Sequence, residues 1–292
     1  MAISDPATTT AHTIEGPASF GTRLTEAVRL RGPLCVGIDP HPALLLEWGL
    51  PVSLAGVQRF ALTTIDALGG EVAVIKPQSA FFEAYGSRGI AVLERVLAAA
   101  KEAGALTLLD VKRGDIGSTM SAYAQAYLSD DSALAADAIT LSPYLGFGSL
   151  RPAFELAAST GRGVFVLALT SNPEGATVQH AQTPGGKVVA QQIADSAAAL
   201  NAGASPLGSV GLVVGATVGQ TGVDLSQVNG PLLAPGIGAQ GATAADLRTV
   251  FGDDLRAVLP TSSREILAAG PRVVALRDAA ARTLESIQSA LG

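Results

Sequence analysis

Cysteine is almost missing from this chain, and so are tryptophan and methionine: one, one and two among 292 residues, with aromatics at 4% overall. A lone cysteine, Cys35, excludes any disulfide within the chain. Set inside an apolar run, it reads as core filler in a protein of the reducing cytoplasm. Hydrophobic residues still make up 48%, so the core must be built from Ala, Val, Leu and Ile. No apolar run approaches the roughly 20 residues of a membrane span, and no membrane partner is expected. Acidic residues outnumber basic ones, 25 to 19, for a net charge of −6, and the basic residues are scattered, which argues against nucleic-acid binding. The three histidines, His12, His41 and His180, show no metal-ligand spacing, so no metal is expected. Residues 1–18 lack the basic start and apolar core of a signal peptide and read as a flexible tail. Nothing resembling a linker divides residues 19–292, which read as one domain.

What is present is a repeat of short apolar runs and helical segments. Phe20 to Arg31 has helical spacing, is stopped by Gly32-Pro33, and is placed to cap the bottom of a barrel. Strand-like runs follow at Leu34–Asp39, Glu71–Pro77, Ala105–Leu109, Ala138–Pro143, Gly163–Thr170, Val210–Gly215, Pro231–Pro235 and Leu255–Leu259. Helical patterns fall near Val52–Leu68, Ser87–Ala103, Ser121–Leu128, Lys187–Asn201 and Pro271–Leu291. Eight buried strands alternating with helices predict an α/β fold, a single (β/α)8 TIM barrel with an N-terminal extension. An open doubly wound sheet would need a glycine fingerprint after the first strand, and Asp39-Pro40-His41-Pro42 is none.

The chemistry collects at the strand ends. The third run passes directly into Asp110-Val111-Lys112-Arg113-Gly114-Asp115. On a strand Asp110 and Lys112 share a face, about 6–7 Å apart along the chain, and Asp115 lies beyond in a loop. The first strand ends in Asp39 and the second in Lys76. In a barrel these ends are neighbours, so Asp39, Lys76, Asp110 and Lys112 converge on one rim with alternating charge. A single Asp-Lys pair would be a surface salt bridge; four ionisable groups at three consecutive strand ends predict a site.

Across the rim the sequence suits an anion. Ala234-Pro235-Gly236-Ile237-Gly238-Ala239-Gln240-Gly241 follows the seventh strand with glycines that can present backbone N–H groups, and the connection to the eighth strand is a candidate lid. After the eighth strand, Ser262 and Glu265 have capping-box spacing, which predicts a helix start, and Arg264 supplies a fork of donors. Loops after strands seven and eight are where this barrel usually holds phosphate.

These residues together resemble the orotidine 5′-phosphate decarboxylase family, in particular its longer, mycobacterial-type (type 2) subfamily. The resemblance runs from about Val36 to Ala268 and rests on Gly37-Ile38-Asp39-Pro40, Ile75-Lys76-Pro77-Gln78-Ser79-Ala80-Phe81-Phe82-Glu83, Asp110-Val111-Lys112-Arg113-Gly114-Asp115-Ile116, Leu141-Ser142-Pro143-Tyr144-Leu145-Gly146 and the loop from Ala234 to Gly241. It implies loss of CO2 from orotidine 5′-monophosphate to give uridine 5′-monophosphate (UMP), the last step of de novo UMP synthesis, with no metal or organic cofactor. By the same resemblance Lys112 is the acid that protonates C6, Asp110 sits beside the substrate carboxylate, and Lys76 links Asp110 to the ribose. Asp115 completes the catalytic set. The implied substrate-binding residues are Asp39, Ile116, Thr119, Ser171, Pro235, Gly236, Gln240 and Arg264, with Ser171 at the pyrimidine and Gln240 and Arg264 at the phosphate. Asp115 and Thr119 are implied to reach the neighbouring subunit's site, which makes the enzyme a homodimer.

Two other readings fit parts of the pattern. A metal-assisted sugar-phosphate lyase on a related barrel predicts Mg²⁺ dependence and an acid in place of Lys76. A silent nucleotide-binding barrel predicts an eroded rim, whereas Lys76, Asp110, Lys112 and Asp115 are all present. Trp48, Phe81, Phe82 and Tyr144 read as packing groups, and Arg113 as a partner for a helix or a second subunit.

Overall fold

The computed structural model describes residues 17–219, 222–236, 244–252 and 255–291. All but the last two residues of the expected tail lie outside that range.

A helix, α1 (Phe20–Arg31), opens the described chain; Ser19 caps it by accepting from the Thr22 N–H, and Gly32 ends it at φ 79°. Then β1 (Cys35–Ile38), α2 (Pro42–Glu47), α3 (Leu54–Leu68) and β2 (Val74–Pro77) follow, with α4 (Ala80–Glu83) and α5 (Gly86–Glu102) leading to β3 (Leu106–Arg113). Next come α6 (Gly117–Leu128), β4 (Ala138–Leu141), α7 (Arg151–Ser159), β5 (Gly163–Leu169), α8 (Ala176–Gln179), α9 (Val189–Leu200) and β6 (Val210–Val214). The chain closes through β7 (Leu232–Pro235), α10 (Ala244–Phe251), β8 (Val258–Ser262), α11 (Arg264–Leu267) and α12 (Val273–Leu291). The strands form a closed barrel in sequence order, every neighbouring pair parallel, with β8 returning to β1. Each strand is apolar on both faces because one face meets the helices and the other fills the barrel.

Two apolar clusters divide the core accordingly. The larger lies between strands and helices and includes Val36, Ile75, Leu109, Ile139 and Val166. The smaller fills the barrel's lower interior with Cys35, Val74, Leu108, Ala138, Phe165, Val213, Leu233 and Leu259, closed from below by Phe20 and Leu24 of α1. Burying each of those two side chains contributes about 2 kcal/mol. Phe20 meets Phe165 edge-on at 5.9 Å between ring centres, and a side chain at Gly163 would strike its ring. Arg23 ties the plug down through an ion pair with Asp137 and a 2.9 Å hydrogen bond to the Gly161 carbonyl. Burial works against ionising Asp137, but hydrogen bonds from Arg23 and Thr107 outweigh it and keep the carboxyl below its ordinary range.

β3 runs to Arg113, which keeps Asp110 and Lys112 on the strand as expected, and the structure corrects two local expectations. β8 is displaced toward the C-terminus: Pro260, Thr261 and Ser262, expected as loop, are its last buried residues. The capping box does not form either. Among the described residues the buried Ser262 Oγ has no partner and Ser263, the N-cap, makes no side-chain cap hydrogen bond, and α11 is a single turn. Helix α6 spans Gly117–Leu128 and includes the expected Ser121–Leu128, and α2, α4, α7, α8 and α10 were not anticipated.

Candidate active site

At the C-terminal mouth of the barrel lies a cavity of about 360 Å³. Its two sides differ. Asp39, Lys76, Gln78, Asp110 and Lys112 line the side of β1 to β3, while Leu167, Leu169, Val213 and Leu233 form an apolar wall from β5 to β7.

Parallel register sets the charged side. Gly37 on β1 pairs with Lys76 on β2, and Gln78 just beyond β2 bridges to Asp110 on β3. Asp110 is the hub, 7% exposed. Its Oδ2 accepts from Lys76 Nζ at 3.2 Å and Gln78 Nε2 at 3.3 Å; its Oδ1 accepts from Lys112 Nζ at 2.7 Å and the Thr140 hydroxyl at 2.8 Å. Four donors match the roughly four acceptor positions of a carboxylate, so the buried charge is fully satisfied.

Burial alone would push the Asp110 carboxyl up, but the ammonium charges of Lys76 and Lys112 outweigh it and hold the group well below the usual carboxylate range. Lys76, also buried, shows the reverse balance: desolvation disfavours its charge, yet Asp110 and Asp39 raise it above the ordinary lysine range. Both therefore stay charged at neutral pH. Lys112 differs from Lys76 in reach, since 45% of its side chain is exposed to the cavity mouth. Beneath them Cys35 is sealed off, its thiol pushed up to about 12 by burial, which makes it inert filler.

Of the residues singled out from sequence, Asp39, Lys76, Asp110, Lys112, Ser171, Pro235, Gly236 and Arg264 line this one cavity. Asp39 lines the cavity and keeps a buried Oδ1 with no hydrogen-bond partner among the described residues. Gly236 follows β7 at φ 111°, a conformation suited to glycine. Arg264, just beyond β8 and so next to the β1 side, also lines the cavity, and with it the lining holds three cationic side chains against two carboxylates, a balance that favours an anion. Because α11 has only four residues, this anion preference rests on Arg264 rather than on a helix dipole.

Three of the candidates stay outside the cavity of their own chain. Asp115, Ile116 and Thr119 sit on the β3–α6 connection and the first turns of α6; Asp115 Oδ1 accepts from the Ile116 N–H at 2.7 Å. Ile116 is 61% exposed and Tyr144, on the neighbouring β4 loop, 77%. Gln240, with the rest of 237–243 and 253–254 in the candidate lid between β7 and β8, lies outside the described residues. Arg113 points away from the cavity and pairs with Glu83 of α4 at 2.7 Å. Trp48 is a packing group that also donates from Nε1 to the Leu267 carbonyl at 2.8 Å. His41 caps α2 by accepting at Nδ1 from the Ala43 N–H.

Sequence reasoning passed over Gln78 and Thr140. Gln78 stood inside a quoted motif, and Thr140 was a polar residue flanked by Ile139 and Leu141 in a strand-like run, which is the available signal for an inward-facing group at a barrel's mouth.

A profile of the family described as "Orotidine 5'-phosphate decarboxylase / HUMPS family" matches residues 32–279. The chain belongs to this family. A Salinispora tropica protein named orotidine 5'-phosphate decarboxylase is 67% identical over 273 residues, covering 94% of this chain and 98% of the relative. The Streptomyces coelicolor protein of that name is 58% identical over 273 residues, 93% of this chain and 98% of its own. Among solved structures, a Streptomyces avermitilis protein superimposes with a TM-score of 0.92 at 58% identity, covering 97% and 99% of the two chains. The OMP decarboxylase of Leishmania donovani does so at 0.74 and 31% identity, covering 94% and 99%. The barrel fold is thus common ground between this chain and its solved relatives.

Among the described residues no group of three or more His, Cys, Asp and Glu is arranged to hold a metal ion. No described helix is long and apolar enough to cross a membrane.

Proposed function

We propose that this chain decarboxylates orotidine 5′-monophosphate to uridine 5′-monophosphate and CO2, the last step of UMP synthesis, as a member of the longer, type 2 branch of its family. The observation that carries the reading is the Lys76–Asp110–Lys112 array: one carboxylate clamped between two ammonium groups, one of them exposed to the cavity.

The reaction breaks the C6–carboxylate bond heterolytically, so CO2 departs and the electron pair stays on C6. An ammonium beside that carbon favours the developing charge and then quenches it by proton transfer. Lys112 is assigned this role, its Nζ giving a proton to C6 and regaining one from water afterwards. A Schiff-base role would require a neutral amine, which a lysine 2.7 Å from an ionised carboxylate is poorly placed to supply. Asp110 orients Lys112 and faces the substrate carboxylate. Lys76 and Asp39 are assigned to the ribose hydroxyls, Asp39 with its unpaired Oδ1. Ser171 beside the apolar wall receives the pyrimidine, while Pro235, Gly236, Arg264 and Gln240 hold the phosphate. Binding energy from the phosphate then serves to assemble the site around the reacting carbon.

Asp115, Ile116 and Thr119 are assigned to the site of a second copy, in a homodimer. Support comes from their position outside their own cavity and from the exposed Ile116, Tyr144 and Leu145 beside them, apolar side chains of the kind found at subunit interfaces. The reading includes no metal or organic cofactor and places the protein in the cytoplasm, in keeping with the unpaired, buried Cys35. Residues 1–18 are assigned to a flexible tail outside the catalytic domain.

The test is the fall in ultraviolet absorbance of orotidine 5′-monophosphate on adding purified protein in excess EDTA. Turnover under those conditions is expected. Folded protein that leaves the substrate intact, yet acts on a sugar phosphate once Mg²⁺ is supplied, would replace this reading with the lyase.

A further inference from the structure

The pairing between β3 and β4 breaks at the active site. Leu109 pairs with Ile139 and Arg113 with Leu141, so Asp110, Val111 and Lys112 together face the single residue Thr140. Such a bulge re-aims side chains and leaves backbone groups without ladder partners. Lys112 also sits at φ 45°, in the left-handed region that strains a residue with a Cβ. That conformation persists only if neighbours hold it.

Thr140 does the holding. Its hydroxyl, on a residue 1% exposed, accepts the Lys112 backbone N–H at 2.9 Å and donates to Asp110 Oδ1 at 2.8 Å. The directions are forced, because an amide can only donate and an ionised carboxylate only accept. A single hydroxyl therefore connects the backbone of the lysine to the carboxylate that receives the same lysine's ammonium. Beyond the bulge the ladder resumes, with the Ser142 N–H donating to the Arg113 carbonyl at 2.7 Å.

We propose that Thr140 is a positioning residue for decarboxylation, its hydroxyl locking the bulge so that Lys112 Nζ and the Asp110 carboxylate keep one fixed relation to the reacting carbon. The inference rests on the proposed role of Lys112 and deepens it. Thr140 makes no proton transfer itself. It removes the freedom of Lys112 to swing on a bulged backbone, and misplacement by an ångström at this point costs on the order of 100-fold in rate.

The experiment compares Thr140→Val, which replaces the hydroxyl by a methyl, with Thr140→Ser, which keeps it. Activity is normalised to sites counted by UMP binding. For Thr140→Val, kcat is expected to fall about 10- to 100-fold, while KM and UMP affinity move less than about 3-fold because the phosphate and ribose contacts are untouched. Thr140→Ser is expected to recover most of the loss. Amide hydrogen exchange supplies an independent readout: the Lys112 N–H is protected in the wild type and in Thr140→Ser, and exposed in Thr140→Val. If Thr140→Val does not fold, Thr140→Ala removes the hydroxyl without pressing a methyl on the carboxylate and repeats the test. Wild-type kcat per site without the hydroxyl, or a serine variant as slow as the valine variant, overturns the proposal. Lys112→Ala separates this failure from that of the site itself: an inactive Lys112→Ala beside a fully active Thr140→Val rejects only Thr140, whereas an active Lys112→Ala rejects the assignment of the proton donor.

Discussion

Replacing Asp110 with Asn keeps the shape of the hub and removes its charge, which strands Lys76. At 3.2 Å, Coulomb's law with an effective dielectric constant of about 20 gives an attraction on the order of 5 kcal/mol. Part of it survives, since Asp39 still acts on Lys76 and an amide oxygen can still accept. The expected loss of stability at neutral pH is about 3 kcal/mol, the lower end for breaking a buried pair by removing one partner. The Lys112 pair adds little, because a side chain 45% exposed is screened by solvent. Urea unfolding followed by the fluorescence of Trp48, the only tryptophan, reads the difference.

The pH profile tests the cause. In the wild type the Lys76 pKa is raised, so its contribution is fully present below the unfolded lysine value, about 10.4, and is lost as pH rises through the folded value. In Asp110→Asn burial becomes the stronger influence and the folded pKa drops below the unfolded one. The unfolded chain then binds more protons, so stability of the variant rises with pH. The gap between the two proteins is expected to narrow from about pH 7 to about pH 10. A gap that stays constant across that range would refute the argument that Asp110 is what keeps a buried lysine charged.

Mixing inactive Asp110→Ala and Asp115→Ala chains is expected to restore part of the activity through hybrid dimers holding one intact site; no recovery after verified subunit exchange would reject the shared site. Cys35, fully buried with its thiol pushed up to about 12, should resist alkylation at about pH 8 and react rapidly in denaturant, so stoichiometric labelling of the native protein would contradict its place in the core. Asn201 anchors the bottom of β6 through hydrogen bonds to the Val210 carbonyl and N–H and the Val228 carbonyl. Asn201→Ala should cost about 2–4 kcal/mol in unfolding experiments with kcat per folded site unchanged, and a matching fall in kcat would show that this clamp reaches the mouth of the barrel.

The contrast between β3 and β8 shows where sequence patterns stop informing. Runs of Val, Ile, Leu and Ala marked the buried parts of both strands, because each strand must be apolar on the helix face and in the lower barrel. At the mouth the inward positions turn polar, and a strand residue there looks like a loop residue. Asp110, Lys112, Thr261 and Ser262 all fall in that zone; the alternating acid and base kept Asp110 and Lys112 on β3, whereas the end of β8 was placed too early and a capping box was read where the chain is still a strand. Local spacing could likewise offer a capping box, but only the burial of Ser262 against its neighbours decided that none forms.

The amino-acid sequence by itself determined eight parallel strands, their closure as a barrel, the plugging helix and the rim shared by Asp39, Lys76, Asp110 and Lys112. These follow from periodicity and from the rule that strand ends in a barrel are neighbours, both of which are local or topological. Only the tertiary structure decided that one carboxylate takes four donors, that Lys112 lies on a bulge with φ 45°, and that Thr140 holds it. Apart from the Lys112–Asp110 pair, those contacts join residues 28 to 34 positions apart, at distances set by register and side-chain reach rather than by any pattern within a strand.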